Sequence, residues 1–382
     1  MERGNVLVIG NSGVGKSTLI NAVLGVEKTK TGAGISGTTD KLEIYESEEL
    51  PFRVIDTIGF EPSYLKELSA IHAVMQWSKR CAKEGQENNQ INVIWFCVDG
   101  TSRKLFPRSI LSMLRATRMW KSVPIIVVIT KSYSMLEREE NIAMVQAAFN
   151  SQKRYSKNLK KIVPVVASIY RLNDTAFAPP EGITELIDAT NELMPEGLQA
   201  GNTDLANFKL NRKRYLAHGV VGFSAATAAV VGAVPIPIAD AVILTPLEVA
   251  EINGIARIYG VANNEQSKRF LNSIVQVGTV SVAAKTAIAA LKAIPGINLG
   301  ASVLNAVIAA SIVVSLGKGT IYAFEQVYLG KKTLEDVDWV TKLMESKLSP
   351  DFVEKVKGIL DNADSMDSKS LVESVVALFA QK

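Results

Sequence analysis

The sequence predicts two domains of different fold class: an α/β, doubly wound domain over residues 1–197 and an all-α, hydrophobic helical domain over residues 198–382. In the first half, short apolar stretches rich in Val and Ile alternate with segments of helical periodicity, the pattern of a sheet with helices on both faces. The second half contains two long stretches without a charged residue, 219–239 and 293–317, and ends in amphipathic helical segments.

Length, charge and cysteine content indicate the number of domains, the kind of partner and the compartment to expect. A chain of 382 residues has room for two domains. Its net charge of +4 is too small to favour nucleic acid as a partner, and none is predicted. The two cysteines, Cys81 and Cys97, lack the spacing of a metal site or a disulfide framework, so a reducing compartment is expected. Met1 leads almost directly into an apolar strand, so no signal peptide is predicted and we expect a cytoplasmic first domain.

A glycine-rich loop at residues 10–17, with the sequence GNSGVGKS, lies between an apolar strand at 5–9 and a helical segment that stops at Gly25. In this context the backbone N–H groups of the loop and the positive end of the helix form a site for phosphate groups. Lys16 would reach the β- and γ-phosphates, and the Ser17 hydroxyl would hold Mg²⁺. The predicted nucleotide-binding residues of this segment are Gly10, Asn11, Ser12, Gly13, Val14, Gly15, Lys16, Ser17 and Thr18.

Two further segments are predicted to contact the γ-phosphate and the metal ion. A Gly- and Thr-rich loop at 29–40 follows the first helix, and Thr39 is the candidate for a second hydroxyl ligand of Mg²⁺. A later strand ends in Asp56-Thr57-Ile58-Gly59, in which Asp56 would bind Mg²⁺ through water and the Gly59 amide would contact the γ-phosphate. The predicted catalytic residues are Lys16, Thr39 and Gly59. The predicted metal ligands are Ser17, Thr39 and Asp56.

The remaining elements of the first half continue the alternation. A stretch of alternating polarity at 42–45 predicts an edge strand, and apolar strands follow at 91–99, 124–129 and 162–168. A helix at 182–194 closes the domain. In a doubly wound sheet of this kind the ligand lies at the carboxyl ends of the strands.

The order and spacing of five segments resemble those of an Era-like GTPase of the translation-factor-related class. The five segments are Gly10–Ser17, Thr38/Thr39, Asp56–Gly59, Thr130–Tyr133 and Val166–Ser168. The resemblance implies that GTP and GDP are the ligands and that Thr130 and Lys131 lie on the base side of the site. It also implies that Ala167, next to Ser168 in the fifth segment, offers a backbone N–H to the base carbonyl.

Two departures from the family pattern affect the choice of ligand. The fourth segment of the family reads [NT]-K-x-D, and its aspartate accepts hydrogen bonds from guanine N1 and N2. Tyr133 occupies that position here and cannot offer the same bidentate acceptor. We favour GTP over ATP on the resemblance, and an ATPase is an alternative. Gly13 stands where many members that use potassium carry asparagine, so potassium activation is not predicted.

The second half begins with a cluster of basic residues ahead of the first uncharged stretch: Lys209, Arg212, Lys213 and Arg214. Such a cluster fits the cytoplasmic side of a membrane segment. Pro235–Asp240 and Ile258–Gly260 resemble DUF697, a hydrophobic helical domain that follows Era-like GTPase domains in bacterial proteins and whose members include membrane proteins. The resemblance implies membrane association through residues 219–239 and 293–317. The charged region between these stretches favours a soluble bundle with a small-residue core instead.

Together these features predict a molecular switch that binds and slowly hydrolyses GTP with Mg²⁺. Slow turnover is expected because Phe60 stands where a Ras-like enzyme places the glutamine that orients the attacking water. The nucleotide state would be coupled to a membrane-associated helical domain, with the first domain at the inner face of the membrane. The alternative of another class is a soluble, cytosolic module in which nucleotide gates the binding of a protein. The sequence does not identify the effector.

Overall fold

The structure is a computed structural model of the chain. It describes residues 3–25, 29–31, 42–47, 50–57, 90–117, 120, 122–152, 156–173, 175–232, 239–280, 282–293, 301–361, 370, 373–375 and 377. Its strands are β1 (Gly4–Ile9), β2 (Thr29–Thr31), β3 (Leu42–Glu46), β4 (Phe52–Thr57), β5 (Val93–Asp99), β6 (Ile125–Thr130), β7 (Leu159–Pro164), β8 (Tyr170–Arg171) and β9 (Phe177–Ala178). The helices of the first half are α1 (Lys16–Leu24), α2 (Phe106–Ala116), α3 (Arg138–Asn150) and α4 (Ile183–Leu193).

The second half is helical. Its described helices are α5 (Asn202–Gly232), α6 (Ala239–Tyr259), α7 (Glu265–Val280), α8 (Val282–Lys292), α9 (Ala301–Tyr328), α10 (Val337–Lys347) and α11 (Pro350–Leu360). The succession of an α/β half and a helical half confirms the predicted fold class.

The sheet of the first half has the strand order β2-β3-β4-β1-β5-β6-β7. The strands from β4 to β7 pair in parallel, whereas β2 and β3 are antiparallel. Every residue of β1 and β6 is buried, because helices cover both faces of a parallel sheet. The prediction of an edge strand at 42–45 is wrong, since β2 pairs with β3 on its outer side. The last predicted strand begins and ends earlier than expected, at Leu159 and Pro164.

The register of the parallel strands brings the predicted site residues to one edge. Val8 of β1 is paired with Asp56 of β4, and Asp99 of β5 is paired with Thr130 of β6. The glycine-rich loop starts directly after β1, at Gly10. Because parallel strands have their carboxyl ends on the same side, residues distant in sequence converge there.

The described contacts divide the chain into two compact units. The first unit comprises Met1–Ser168 and Pro180–Arg212, and the second comprises Ile169–Pro179 and Lys213–Lys382. Helix α5 contains the change of unit, which follows Arg212. The predicted domain limit between residues 197 and 198 lies earlier in the chain and stays a prediction.

Helix α9 forms the core of the second unit. It packs against α6, α7, α8, α10 and α11, and all residues of its segment 306–316 are buried. Small residues permit close packing: a Cβ atom at Gly317 would lie 2.6 Å from a methyl carbon of Val221 on α5. The apolar surface of α9 is therefore used inside the unit.

Two described helical stretches, Glu265–Lys292 and Ser302–Tyr328, are long and apolar enough to cross a membrane. The second overlaps the predicted stretch 293–317, but 89% of its most apolar part is buried within the protein. The predicted stretch 219–239 is not among them, and residues 233–238 lie outside the described residues. Length and composition alone are weak evidence of a span, because the core helix of a soluble bundle has both.

Two of the four residues in the basic cluster ahead of residue 219 are buried in the protein. Arg212 is 8% exposed and Lys213 is 4% exposed, so neither side chain is available to lipid headgroups. Both donate hydrogen bonds to backbone carbonyls inside their own units. The prediction that these residues lie beside a membrane is wrong for these two, because internal carbonyl groups take the place of water and phosphate around their charges.

Candidate nucleotide site

The glycine-rich loop has the backbone of an anion cradle. Gly13 and Gly15 have φ values of 79° and 97°, which residues with a Cβ atom rarely adopt. Gly10 lies so close to β5 that a Cβ atom would be 2.7 Å from the Cys97 carbonyl oxygen. Gly15 caps α1, whose first turn exposes Ser17 and Thr18. The loop therefore turns tightly between β1 and the start of α1, as the sequence predicts.

Lys16 folds back over the loop. Its Nζ atom donates hydrogen bonds to the carbonyl oxygens of Gly10 at 2.8 Å and Asn11 at 3.3 Å. The ammonium group is thus held by the two residues that open the loop, with a third donor hydrogen available. A single cation at the centre of a loop of N–H groups attracts phosphate oxygens.

Thr130 and Lys131 join the loop to the end of β6. The Thr130 hydroxyl lies within hydrogen-bond distance of the carbonyl oxygens of Val14, at 2.6 Å, and Val98, at 3.0 Å. Lys131 Nζ donates to the Gly13 carbonyl at 2.8 Å. Lys131 has a φ of 52°, the one positive value in the described part of the chain at a residue other than glycine. Strain of this kind persists where surrounding contacts fix the backbone, as they do here.

Asp99 at the end of β5 holds Lys131 in place. Its carboxylate accepts a hydrogen bond from Lys131 Nζ at 2.6 Å and further bonds from the Thr101 backbone and hydroxyl. Burial raises the pKa of Asp99, but the hydrogen bonds from Lys131 and Thr101 together outweigh it and lower the pKa. Asp99 is thus ionised at neutral pH. The sequence shows an acid at this strand end without giving it a role.

The fifth predicted segment lies beside the fourth. Ser132 N donates to the Val165 carbonyl at 3.1 Å, which places Ala167 and Ser168 in the loop that follows. Arg138 connects both segments, because it donates to the Ser132 carbonyl at 2.9 Å and to Glu181 at 2.7 Å. Glu181 in turn pairs through its backbone with Val166. Sequence reasoning missed Arg138 and Glu181, because only the fold brings them together and neither belongs to a motif.

The predicted metal ligands include two that the structure describes. Asp56 is buried at the end of β4, and Ser17 is exposed in the first turn of α1. The pKa of the Cys97 thiol is raised to about 12, because the effects of burial and of the Asp56 charge exceed the opposite effect of the Lys16 charge. A carboxylate and a hydroxyl are the hard oxygen donors that Mg²⁺ prefers, and these residues fit that ion.

Two of the predicted catalytic residues, Thr39 and Gly59, lie outside the described residues, as do Thr38 and Phe60. Tyr133 is described: it is half-buried, and its backbone N–H donates to the Lys131 carbonyl at 2.8 Å. The structure thus brings together the phosphate loop, the Thr130–Tyr133 segment and the Val166–Ser168 segment.

Comparison with protein families covers most of both halves. Residues 5–131 match the family described as 50S ribosome-binding GTPase, and residues 202–347 match the domain of unknown function DUF697. The chain joins an Era-like GTPase domain to a DUF697 domain. The resemblances on which the sequence-based expectations rested are confirmed for both domains.

Several curated relatives of the GTPase domain are GTPases. GTPase Era of Glaesserella parasuis is 27% identical over 43% of this chain and 49% of its own length. The tRNA modification GTPase MnmE of Campylobacter fetus is 33% identical over 28% of this chain and 24% of its own length. A solved structure of Aquifex aeolicus Era bound to GDP·AlF₄⁻ aligns with 57% of this chain and 68% of that chain, at 22% identity and a TM-score of 0.29. The chain thus spans half or less of the length of these two curated relatives.

Proposed function

We propose that the chain is a Mg²⁺-dependent, GTP-binding molecular switch that hydrolyses GTP slowly and couples nucleotide state to its DUF697 domain. The observation that carries the proposal is the organisation of the phosphate loop. Lys16 is held by the carbonyls of Gly10 and Asn11, and Thr130 and Lys131 fix the other side of the loop. A loop held on both sides presents its N–H groups to phosphate without further reorganisation.

The proposed reaction is an in-line attack of water on the γ-phosphorus. A new P–O bond forms as the bond to the β–γ bridging oxygen breaks, and the proton of the water leaves with the inorganic phosphate. Lys16 stabilises the charge that develops on the β- and γ-phosphate oxygens. Ser17, Asp56 and Thr39 would hold Mg²⁺, which supplies further neutralisation of that charge. Thr39 and Gly59 would contact the γ-phosphate, and Phe60 offers no group to orient the water.

Direct binding to the full chain tests this proposal. Fluorescently labelled GTP is titrated with and without Mg²⁺, unlabelled GDP and ATP serve as competitors, and phosphate release is followed separately. We expect GTP and GDP to displace the label, ATP to displace it less, and phosphate release to stay below about 1 s⁻¹. Absence of binding by any nucleoside triphosphate would refute the switch, and equal displacement by ATP would support the ATPase alternative.

Tyr133→Asp is expected to increase the preference for GTP over ATP by about 10- to 100-fold. An aspartate at this position would accept hydrogen bonds from guanine N1 and N2, and hydrogen bonds to a charged group contribute about 1.5–3 kcal/mol. The measurement is the ratio of dissociation constants for GTP and ATP. Tyr133→Asn is the matched control, because the amide has the same shape without the charge. An unchanged ratio in Tyr133→Asp would show that the base does not lie at this position.

Membrane association is a second candidate property, supported by the exposed face of α5. Within 219–232 this helix has no charged residue, and Val230 is 69% exposed. One turn before this stretch the exposed face carries Arg214, Tyr215 and His218. Basic and tyrosine side chains next to apolar ones are typical of a helix at a membrane surface. We propose that residues 219–239, rather than the buried segment 306–316 of α9, account for any association with lipid.

The burial of α9 supports the alternative proposal, a soluble module that does not bind a membrane. A helix with 89% of its most apolar part buried has no free surface for lipid along that part. In that case the chain is a cytosolic, nucleotide-gated module that binds a protein partner. In the membrane case we propose that the GTPase domain is at the cytoplasmic face.

Val230→Glu separates these two cases. If α5 contacts lipid, a charge at Val230 is expected to reduce co-sedimentation with phosphatidylglycerol-containing vesicles by about tenfold, because an apolar side chain is lost and an anion repels the surface. Leu136→Glu is the matched control, since Leu136 is 96% exposed in the other unit. Failure of the unmodified chain to sediment with vesicles, or equal sedimentation of Val230→Glu, would favour the soluble module.

A further inference from the structure

Arg138, the first residue of α3, bridges the two segments that are predicted to hold the nucleotide base. Its guanidinium donates to the Ser132 carbonyl through Nε at 3.2 Å and through Nη2 at 2.9 Å. The same Nη2 atom donates to the Glu181 carboxylate at 2.7 Å. All three residues belong to the first unit, so the bridge lies within one compact part of the chain.

Arg138 stands where its own helix does not favour a cation, so its acceptors stabilise it. The first turn of a helix is the positive end of the helix dipole, and the next two residues of α3 are glutamates, as that end prefers. The side chains of Arg138 and Glu181 are 15% and 23% exposed, so water screens their attraction less than on an open surface. A guanidinium that is partly buried and bonded through several N–H groups holds its partners in a fixed geometry.

Glu181 is fixed to the fifth predicted segment by its backbone. Its N–H donates to the Val166 carbonyl at 2.9 Å, and the Val166 N–H donates to the Glu181 carbonyl at 3.0 Å. Gly182, the next residue, has a φ of 79°, and a Cβ atom there would lie 2.2 Å from the Pro164 carbonyl oxygen. The chain passes so close to the end of β7 that glycine is required at 182. Glu181 therefore presents its carboxylate from a fixed backbone position.

Ser132 is held from both sides. Its N–H donates to the Val165 carbonyl at 3.1 Å, and its own carbonyl accepts from Arg138. Because Val165 precedes Val166, the contacts form a closed circuit from Ser132 through the fifth segment and Glu181 back to Arg138. The two segments cannot move apart without breaking a hydrogen bond of this circuit.

The separation of the two segments is important because Tyr133 stands where the family pattern has a carboxylate. The groups predicted to contact the base are then the Ala167 N–H and the stem of Lys131, whose positions the backbone sets. The Ser132 carbonyl belongs to the peptide group that leads into Tyr133, so Arg138 fixes the backbone on that side. Groups that are fixed before binding need no ordering when the ligand arrives.

We propose that the Arg138–Glu181 pair preorganises the base side of the nucleotide site, by holding the Thr130–Tyr133 and Val166–Ser168 segments at a fixed separation. Both residues act through backbone groups of these segments, so they are positioning residues. This inference rests on the proposed function, because it assumes that a nucleotide base lies between the two segments. It assigns the pair to affinity for the base, whereas the phosphate loop provides affinity for the phosphates.

Binding of two ligands by the full chain tests the inference: GDP, and ribose 5-diphosphate, which has the same sugar and phosphates without a base. Both dissociation constants are measured by titration calorimetry with Mg²⁺. Arg138→Met keeps an unbranched side chain and removes its donors, and it is expected to lower the affinity for GDP by about tenfold, because the segments must then be ordered on binding. Its affinity for ribose 5-diphosphate is expected to stay within about twofold, because Thr130 and Lys131 hold the phosphate loop.

Glu181→Met tests the pair from the other side, and the double variant shows whether the two residues act together. Because the Glu181 carboxylate acts through Arg138, we expect the double variant to lose no more affinity for GDP than Arg138→Met alone. Lys161→Met is the matched control. Lys161 forms an ion pair at 3.3 Å with Glu192 in the same unit, and both side chains are more than half exposed. We expect both affinities of this control to be unchanged, because an exposed pair contributes little.

The outcomes distinguish the pair from the nucleotide site itself. Absence of nucleotide binding by the unmodified chain would overturn the proposed function, and the inference with it. If the unmodified chain bound ribose 5-diphosphate as tightly as GDP, the phosphate site would stand and the inference would fall, because no base would be held. An equal loss for both ligands in Arg138→Met would indicate a general structural role and contradict the inference, as would no loss for either. Should Arg138→Met not fold, Glu181→Met provides the same comparison of the two ligands.

Discussion

Lys16→Ala is expected to lower the affinity for Mg²⁺·GTP by about 10- to 100-fold, because the charge-assisted hydrogen bond from the third donor of the ammonium group to phosphate is lost, at about 1.5–3 kcal/mol. The reason is the position of the ammonium group. Nζ lies over the loop, 2.8 Å from the Gly10 carbonyl and 3.3 Å from the Asn11 carbonyl. No other lysine or arginine donates to these carbonyls in the described part of the chain. Affinity is measured by titration of labelled GTP, and phosphate release is measured in the same preparations.

Lys160→Ala is the control for this prediction. Lys160 is an exposed lysine of β7, so its removal changes the net charge by the same amount away from the loop. Circular dichroism and the melting temperature of both variants show whether the fold is kept. Normal binding and turnover in a folded Lys16→Ala protein would contradict the assignment of the nucleotide site. A loss of binding in Lys160→Ala as large as that in Lys16→Ala would show a general effect of charge.

The second large effect is expected in the stability of the helical unit. Glu248 and Glu251 lie one turn apart on α6 and are 2% and 1% exposed. Glu248 Oε2 and Glu251 Oε1 have no hydrogen-bond partner among the described residues. Burial raises the pKa of Glu248 to about 7. Burial, with a smaller contribution from the charge of Glu248, raises the pKa of Glu251 well above its usual value. Both carboxyls therefore favour the neutral form in the folded protein.

The sign of the pH dependence follows from these shifts. In the unfolded chain both groups have a pKa near 4.5, below the folded values. Their stabilising contribution is complete below pH 4.5 and is lost as the pH rises through about 7 and beyond. At about 1.4 kcal/mol for each pH unit between the two pKa values, Glu248 alone accounts for about 3 kcal/mol. We therefore expect the second unit to be less stable at pH 8.5 than at pH 5.5.

Calorimetry of the full chain at several pH values measures this effect, with the double variant Glu248→Gln and Glu251→Gln as the test. Neutral glutamines are expected to remove most of the loss of stability above pH 6. Glu265→Gln is the control, because this glutamate is exposed on α7. His218 acts in the opposite direction, since partial burial of its exposed ring and the charges of Lys318 and Arg214 lower its pKa. Its contribution is common to all variants and cancels in the comparison. A pH dependence unchanged in the double variant would contradict the prediction.

Most of the candidate nucleotide site could be predicted from local sequence. The strand, loop and helix around Lys16 are contiguous, and each of the apolar strands at 91–99 and 124–129 forms a strand close to its expected limits. Continuous runs of Val and Ile of this length are typical of strands that are buried on both faces. They therefore predict strands inside a parallel sheet. Thr130 ends such a strand and Lys131 follows it, so their place at the carboxyl ends of the strands could be predicted as well.

Other parts of the site could not be predicted, because their partners are distant in sequence. Arg138 and Glu181 meet only through the packing of α3 beside the Val166 backbone pair. β2 consists of Thr29–Thr31, a polar segment that periodicity assigns to a loop, and it forms a strand because β3 offers an open edge.

The sequence by itself determined the fold class, the phosphate loop and the presence of a separate helical half, since each depends on backbone and side-chain patterns within a short stretch. Only the tertiary structure decided what the basic residues at 212–214 contact and that residues 306–316 of the apolar stretch are buried. As a sequence, a basic cluster before an apolar stretch indicates a membrane boundary. In the structure Arg212 and Lys213 donate hydrogen bonds to the carbonyls of Leu24 and Ile258, Arg214 forms an ion pair with Glu325, and neighbouring helices cover α9. Burial is set by contacts between distant residues, and local pattern does not specify them.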